Sequence, residues 1–201
     1  QLLRHQADPA PGVGLDPGAA HRRPAAILLH LTGDDRATVG IEEAQSGFAH
    51  RSSPVQVSGG PASLARVSTG YEFACATSSS GVPYCWGKNE EGQLGTGTVQ
   101  ASAVAVPVST GQQFLSLGSG ERHACGLTAG GQAYCWGAGW YGQLGNGANG
   151  NVLVPGLVAG GYSYQSLGIG GQHSCAVRTG GAVYCWGYNG YGQLGDGSTT
   201  N

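Results

Sequence analysis

The chain has 201 residues, a formal net charge of −2, 40% hydrophobic and 10% charged residues, and 39 glycines. Near-neutrality offers no cationic field to a polyanion, so nucleic acid is not an expected partner. The glycines follow no Gly-X-Y period, the apolar content excludes general disorder, and no stretch approaches the roughly 18 apolar residues of a membrane-spanning helix.

Residues 1–52 show neither helical nor strand alternation over a useful length; only Ala25–Leu31 offers a short helix or strand. The run Ala25–Leu29 follows Arg22 and Arg23, but it lies too deep in the chain to match a secretory signal, and no cleavage site follows it. Arg4, Arg22, Arg23, Arg36 and Arg51 are offset by Asp8, Asp16, Asp34, Asp35, Glu42 and Glu43, which is not the charge of a nucleic-acid-binding arm. The expectation is a poorly ordered N-terminal leader. No methionine opens the chain, and Asn201 falls where the earlier repeats run on into another strand, so the sequence reads as a piece of a longer protein.

From Ser53 onward the chain repeats with a period of 50 residues, in units of about 53–102, 103–152 and 153–201. Tyr84-Cys85-Trp86-Gly87 returns at 134–137 and 184–187, with a second cysteine ten positions upstream (Cys75, Cys125, Cys175) and Gly-Gln-Leu-Gly downstream at 92–95, 142–145 and 192–195. Such a period marks a repeat architecture whose units cannot bury their apolar faces alone. Four short strands fit each unit; in the second they are expected near Phe114–Gly118, His123–Thr128, Gln132–Trp136 and Val152–Val158. The third unit should lack its outer strand, the middle unit should be best buried, and the outer faces of the first and third should expose apolar surface.

A three-residue loop Ala129-Gly130-Gly131 pairs Thr128 with Gln132, Leu127 with Ala133, Gly126 with Tyr134 and Cys125 with Cys135. Counting outward puts the cysteines at a non-hydrogen-bonded position, about 4.5 Å apart at Cα, within reach of a disulfide. The same register holds for Cys75 with Cys85 and for Cys175 with Cys185. Zinc is disfavoured because no Cys-x-x-Cys knuckle is present. Disulfides and reduced core cysteines stay open at this level, the first implying an oxidising, extracytoplasmic compartment and the second the cytoplasm.

His123 and His173 invite a metal or catalytic reading, yet Phe73 stands at that place in the first unit. A position that accepts phenylalanine is read as packing, its imidazole satisfying a buried backbone group. Trp86, Trp136 and Trp186 are read as the large core residue of each unit. Trp140, Tyr141, Tyr188 and Tyr191 lie where the first unit has Lys88, Asn89, Glu90 and Glu91, and variation at fixed loop positions points to one exposed face. They are the candidate contact residues, with packing between units as the competing reading. No Ser-His-Asp or paired-carboxylate constellation is clustered, so no catalytic residue, metal or cofactor is assigned.

With His123-Ala124-Cys125, the glycine-turned hairpin, Tyr-Cys-Trp-Gly and Gly-Gln-Leu-Gly in order, residues 53–201 resemble the regulator of chromosome condensation repeat family. The resemblance implies an all-β partial propeller of three four-stranded blades, the third incomplete, from a ring that usually has seven. The paired cysteines resemble those of bacterial, secreted members. The family's namesake is an exchange factor for a small GTPase and docks on chromatin through a basic tail; its activity needs an intact ring and an inserted wedge. None of the three units carries such an insertion, and the leader is not basic. The expectation is therefore a non-catalytic binding module that engages a protein or glycan through loops on one propeller face, with nucleotide exchange as the alternative implied by the resemblance.

Overall fold

The computed structural model describes residues 51–201, and the leader expectation for residues 1–50 lies outside them. Eleven strands follow one another: β1 Leu64–Thr69, β2 Phe73–Ser78, β3 Pro83–Gly87, β4 Ser102–Pro107, β5 Phe114–Ser119, β6 His123–Thr128, β7 Ala133–Gly137, β8 Val152–Leu157, β9 Tyr164–Ile169, β10 His173–Arg178 and β11 Val183–Gly187. They form three antiparallel meanders, β1-β2-β3-β4, β5-β6-β7-β8 and β9-β10-β11. These are the blades of a partial β-propeller, the third with three strands among the described residues. β1 touches β5 and β5 touches β9, so the first strand of each blade lies innermost.

Because β4 and β8 complete the first and second sheets, the divisions at 102/103 and 152/153 cut at the start of a fourth strand rather than between blades. A sequence period can be cut at any phase; hydrogen bonding decides where a blade ends. The middle blade is the better buried, as expected, with one exposed position in β5 against four in β1, yet β2 is buried at every position just as β6 is. Val57 explains it. It is buried and packs with Ala74, Ala76, Trp86 and Ala105, while the Ser58 carbonyl accepts from the Ala105 amide at 2.8 Å. Val57 thus covers the first blade much as Val108 and Val158, also buried, help cover the cores of the second and third. The third blade does expose apolar surface: Val183 is 63% accessible.

The hairpin register is the expected one, with Cys75 opposite Cys85, Cys125 opposite Cys135 and Cys175 opposite Cys185. All three pairs are disulfides, with Cα separations of 4.0, 4.1 and 4.1 Å. Each closes a short loop, and removing the buried Cys125–Cys135 bridge by a double alanine substitution is expected to cost roughly 2–3 kcal/mol on the chain-entropy account. Urea unfolding of the oxidised protein and the variant checks this. Mass spectrometry without reductant should find three bridges in protein recovered from its native compartment; six free thiols there would contradict them.

Candidate functional site

The antiparallel order puts two kinds of connection at opposite ends of every blade. Phe73 pairs with Gly87 and Gly87 with Ser102, so the 70–72 turn and the 88–101 loop share one end. The hairpin turns near 79–82 and the links between blades share the other. The repeats carry the first arrangement to the 120–122 turn with the 138–151 loop, and to the 170–172 turn with the segment after Tyr188. This loop end holds the four candidate aromatics.

The Gly-Gln-Leu-Gly corner builds it. The Gln143 side chain accepts from the Tyr141 amide at 2.8 Å, and Gln193 does the same for Tyr191, so each glutamine braces the backbone that carries a candidate contact residue. Its main chain faces the next blade. Trp136 Nε1 donates to the Gln93 carbonyl at 2.9 Å and Trp186 Nε1 to the Gln143 carbonyl at 3.0 Å. A Cβ on Gly95 would lie 2.9 Å from the Trp136 ring and one on Gly145 2.7 Å from that of Trp186, both at positive φ, so only glycine lets the corner close on the indole. Trp136 clusters with Phe73, Leu94 and Val108 of the preceding blade, which corrects the reading of these tryptophans as internal to their own units. Trp86 is buried too, and its Nε1 has no hydrogen-bond partner among the described residues.

Asn89, in the stretch expected to be exposed, and its counterpart Asn189 are both fully buried. Asn89 donates to the Thr98 and Gln100 carbonyls and accepts from the Leu94 amide, tying the loop shut; Asn189 repeats the pattern with Ser198, Thr200 and Leu194. The second blade has Gly139 instead, with the Asn151 side chain accepting from its amide. Alternate use of the same loop position hid this role from the sequence comparison.

The four aromatics divide. Tyr141 and Tyr188 are half-buried and meet across the seam between the second and third blades, ring centroids 5.0 Å apart and inclined by 56°. Packing between blades therefore accounts for part of their role. Tyr191 continues the row, 6.2 Å from Tyr188 and nearly perpendicular to it, and is 88% accessible. Trp140 is 46% accessible and lies beside the Arg122 guanidinium, 5.9 Å from ring centre.

Charge surrounds the aromatics. Lys88 bridges Glu72 at 2.8 Å and Glu90 at 3.2 Å, and these carboxylates hold its pKa up. Arg122 lies between Glu91 at 3.5 Å and Glu121 at 3.8 Å, joining the first blade to the second. Asn151 donates to Glu91, and Gln172 of the third blade donates to Glu121. Asp196 accepts from the Ser198 amide and hydroxyl, which keep its carboxyl below the usual range.

The histidines lie away from this surface. His123 is fully buried, its Nε2 3.0 Å from the Ser174 hydroxyl of the third blade. Ser174 donates to the Gln143 carbonyl, so its oxygen accepts from His123, and the imidazole carries its proton on Nε2. Nδ1 is buried without a partner among the described residues. The expected direct bond to backbone is thus replaced by a relay through a hydroxyl. Burial, with a smaller contribution from His173, lowers the His123 pKa to about 4. His173 is half-buried and bears no counterpart of this relay among the described residues.

Two family models described as the Regulator of chromosome condensation (RCC1) repeat match the chain, one at residues 80–127 and 130–177, the other at 114–143 and 165–193. No curated protein matches. Among solved structures, human WBSCR16 superposes with a TM-score of 0.70 at 20% identity over 82% of this chain and 42% of its own length. Yeast RCC1 (Prp20), solved bound to Kap60, gives 0.62 at 20% over 69% and 35%. Prp20p from Saccharomyces cerevisiae, described with its binding to Gsp1p and histones, gives 0.62 at 21% over 67% and 35%. The chain thus spans well under half the length of these propellers, and the likeness concerns fold. Repeated in-phase landmarks, four-stranded meanders and matching repeat models together place the chain in the regulator of chromosome condensation repeat family.

Proposed function

We propose that the chain is a non-catalytic binding module whose loop end engages a protein partner in an extracytoplasmic, oxidising compartment. The observation that carries this reading is the exposure of Trp140 and Tyr191 on a surface braced from below by Gln143 and Gln193. Exposed aromatics on a rigid support supply contact area at low entropic cost. The depression lined by Glu121, Arg122, Trp140 and Gln172 encloses about 190 Å³ even counting space open to solvent, below the roughly 300 Å³ of small-molecule pockets. A surface partner fits it better. Between protein and glycan, ring geometry favours protein: Tyr141, Tyr188 and Tyr191 are inclined to one another by 56° and 79° and offer no common plane for stacked sugars. The disulfides supply the argument for the compartment.

A photo-crosslinking residue placed at Trp140 or Tyr191, and at Ala129 on the opposite end as control, tests the reading. Protein adducts that form from the loop end and are absent from Ala129 are the expected result. Equal yields from both ends, or adducts from Ala129 alone, would remove the assignment. Guanine-nucleotide exchange, the alternative, is tested by stimulated nucleotide release from a Ran-type GTPase.

A further inference from the structure

Charge within the described residues is sorted by end. Glu72, Glu90, Glu91, Glu121 and Asp196, all five described carboxylates, belong to the loop end, where the cations are Lys88 and Arg122. Five negative charges against two leave −3 on these residues, with Arg51, a further described cation, lying before β1. Arg66 and Arg178 lie toward the opposite end, Arg66 donating to the Leu115 carbonyl and Arg178 lying over the Tyr162 ring. The surplus is spread along this end. Lys88 is shared by two carboxylates of the first blade, Arg122 by Glu91 of the first and Glu121 of the second, and Asp196 stands in the third blade with no cation beside it in its hydrogen-bond set, so the uncompensated charge lies on the first blade, at its seam with the second, and on the third. Glu90 keeps 66% of its side chain in solvent despite its bond to Lys88. The exposed rings of Trp140 and Tyr191 lie on this same surface, and aromatic faces attract cations.

Resting on the loop-end reading, we propose that the partner segment docking there is cationic, presenting lysine or arginine side chains to the Trp140 and Tyr191 rings and to the surplus carboxylates of successive blades. Lys88 and Arg122 are already held by two carboxylates each, so neither is left free to receive an acidic segment. Complementary charge of this kind raises the association rate and selects among partners, and it weakens with salt.

The test uses the full chain with fluorescent deca-arginine and deca-glutamate peptides, followed by anisotropy across a salt series. Deca-arginine is expected to bind with an affinity that falls as salt rises, and deca-glutamate not to bind. Trp140→Ala and Tyr191→Ala should each weaken deca-arginine binding by about two- to fivefold at fixed salt, from the size of an exposed cation–π contact. Glu90→Gln with Asp196→Asn should flatten the salt dependence, whereas Arg178→Gln at the other end should leave binding unchanged. Comparable binding of both peptides, or deca-arginine binding untouched by the aromatic variants, would overturn the proposal. A protein cross-linked through Trp140 or Tyr191 whose binding is insensitive to salt would overturn the cationic assignment while leaving the loop-end reading standing. Loss of the loop-end cross-links would remove both.

Discussion

Replacing Trp136 by alanine is expected to destabilise the protein by about 3–5 kcal/mol, the range for truncating a large buried aromatic. Its indole is fully buried, stacks on Phe114 with centroids 6.0 Å apart, and donates to the Gln93 carbonyl of the preceding blade. Truncation therefore opens a cavity at a seam and takes one of the hydrogen bonds that join two sheets. Trp140, four positions later, is the control: it is 46% exposed, and its replacement by alanine should change stability by less than about 0.5 kcal/mol. Chemical denaturation of the two variants separates them. If both cost the same, Trp136 does not hold the first and second blades together.

Lowering the pH from 7 to 5 is expected to destabilise the seam between the second and third blades by about 2 kcal/mol through His123 alone, on the usual conversion of pKa shifts. The folded-state pKa of His123, near 4, lies below the ordinary 6.5 because burial disfavours the charged ring. Above 6.5 both folded and unfolded chains hold it neutral. Between 6.5 and 4 the unfolded chain takes up a proton that the folded one refuses, so stability falls as the pH falls through that window, and below about 4 the loss levels off. Nδ1 would have to accommodate that proton, and it has no partner among the described residues. The neighbouring seam shows how to remove the effect, because Phe73 there occupies the histidine's place and clusters with Ala124, the counterpart of Ser174. His123→Phe combined with Ser174→Ala should fold and should lose this share of the acid sensitivity. Urea midpoints of both proteins at pH 7 and pH 5 provide the comparison; an unchanged pH dependence in the double variant would assign the sensitivity to other groups.

Much of the fold was legible because it repeats. A cysteine pair ten residues apart around a glycine turn admits one facing register, and three hairpins with the same spacing agree on it. The exposure of Trp140 and Tyr191 was legible, since both vary between units as surface residues do. Variation misled at Asn89 and Asn189, whose buried amides tie their loops closed while the second blade solves the same problem with Gly139 and Asn151. A polar residue in a variable loop looks the same in sequence whether it faces water or the loop's own backbone.

Local spacing by itself determined the strands, the hairpin register and the disulfide partners, because those depend on contacts within about a dozen residues and on the alternation of side chains along a strand. Only the tertiary structure decided what lies between blades. The Trp136 bond to Gln93 spans 43 positions and the His123 bond to Ser174 spans 51, so neither is encoded in any one unit. Each arises because radial stacking sets the end of one sheet's corner against the face of the next. The same stacking sorts the carboxylates to one end, a property of how the turns are gathered in space rather than of any stretch of sequence.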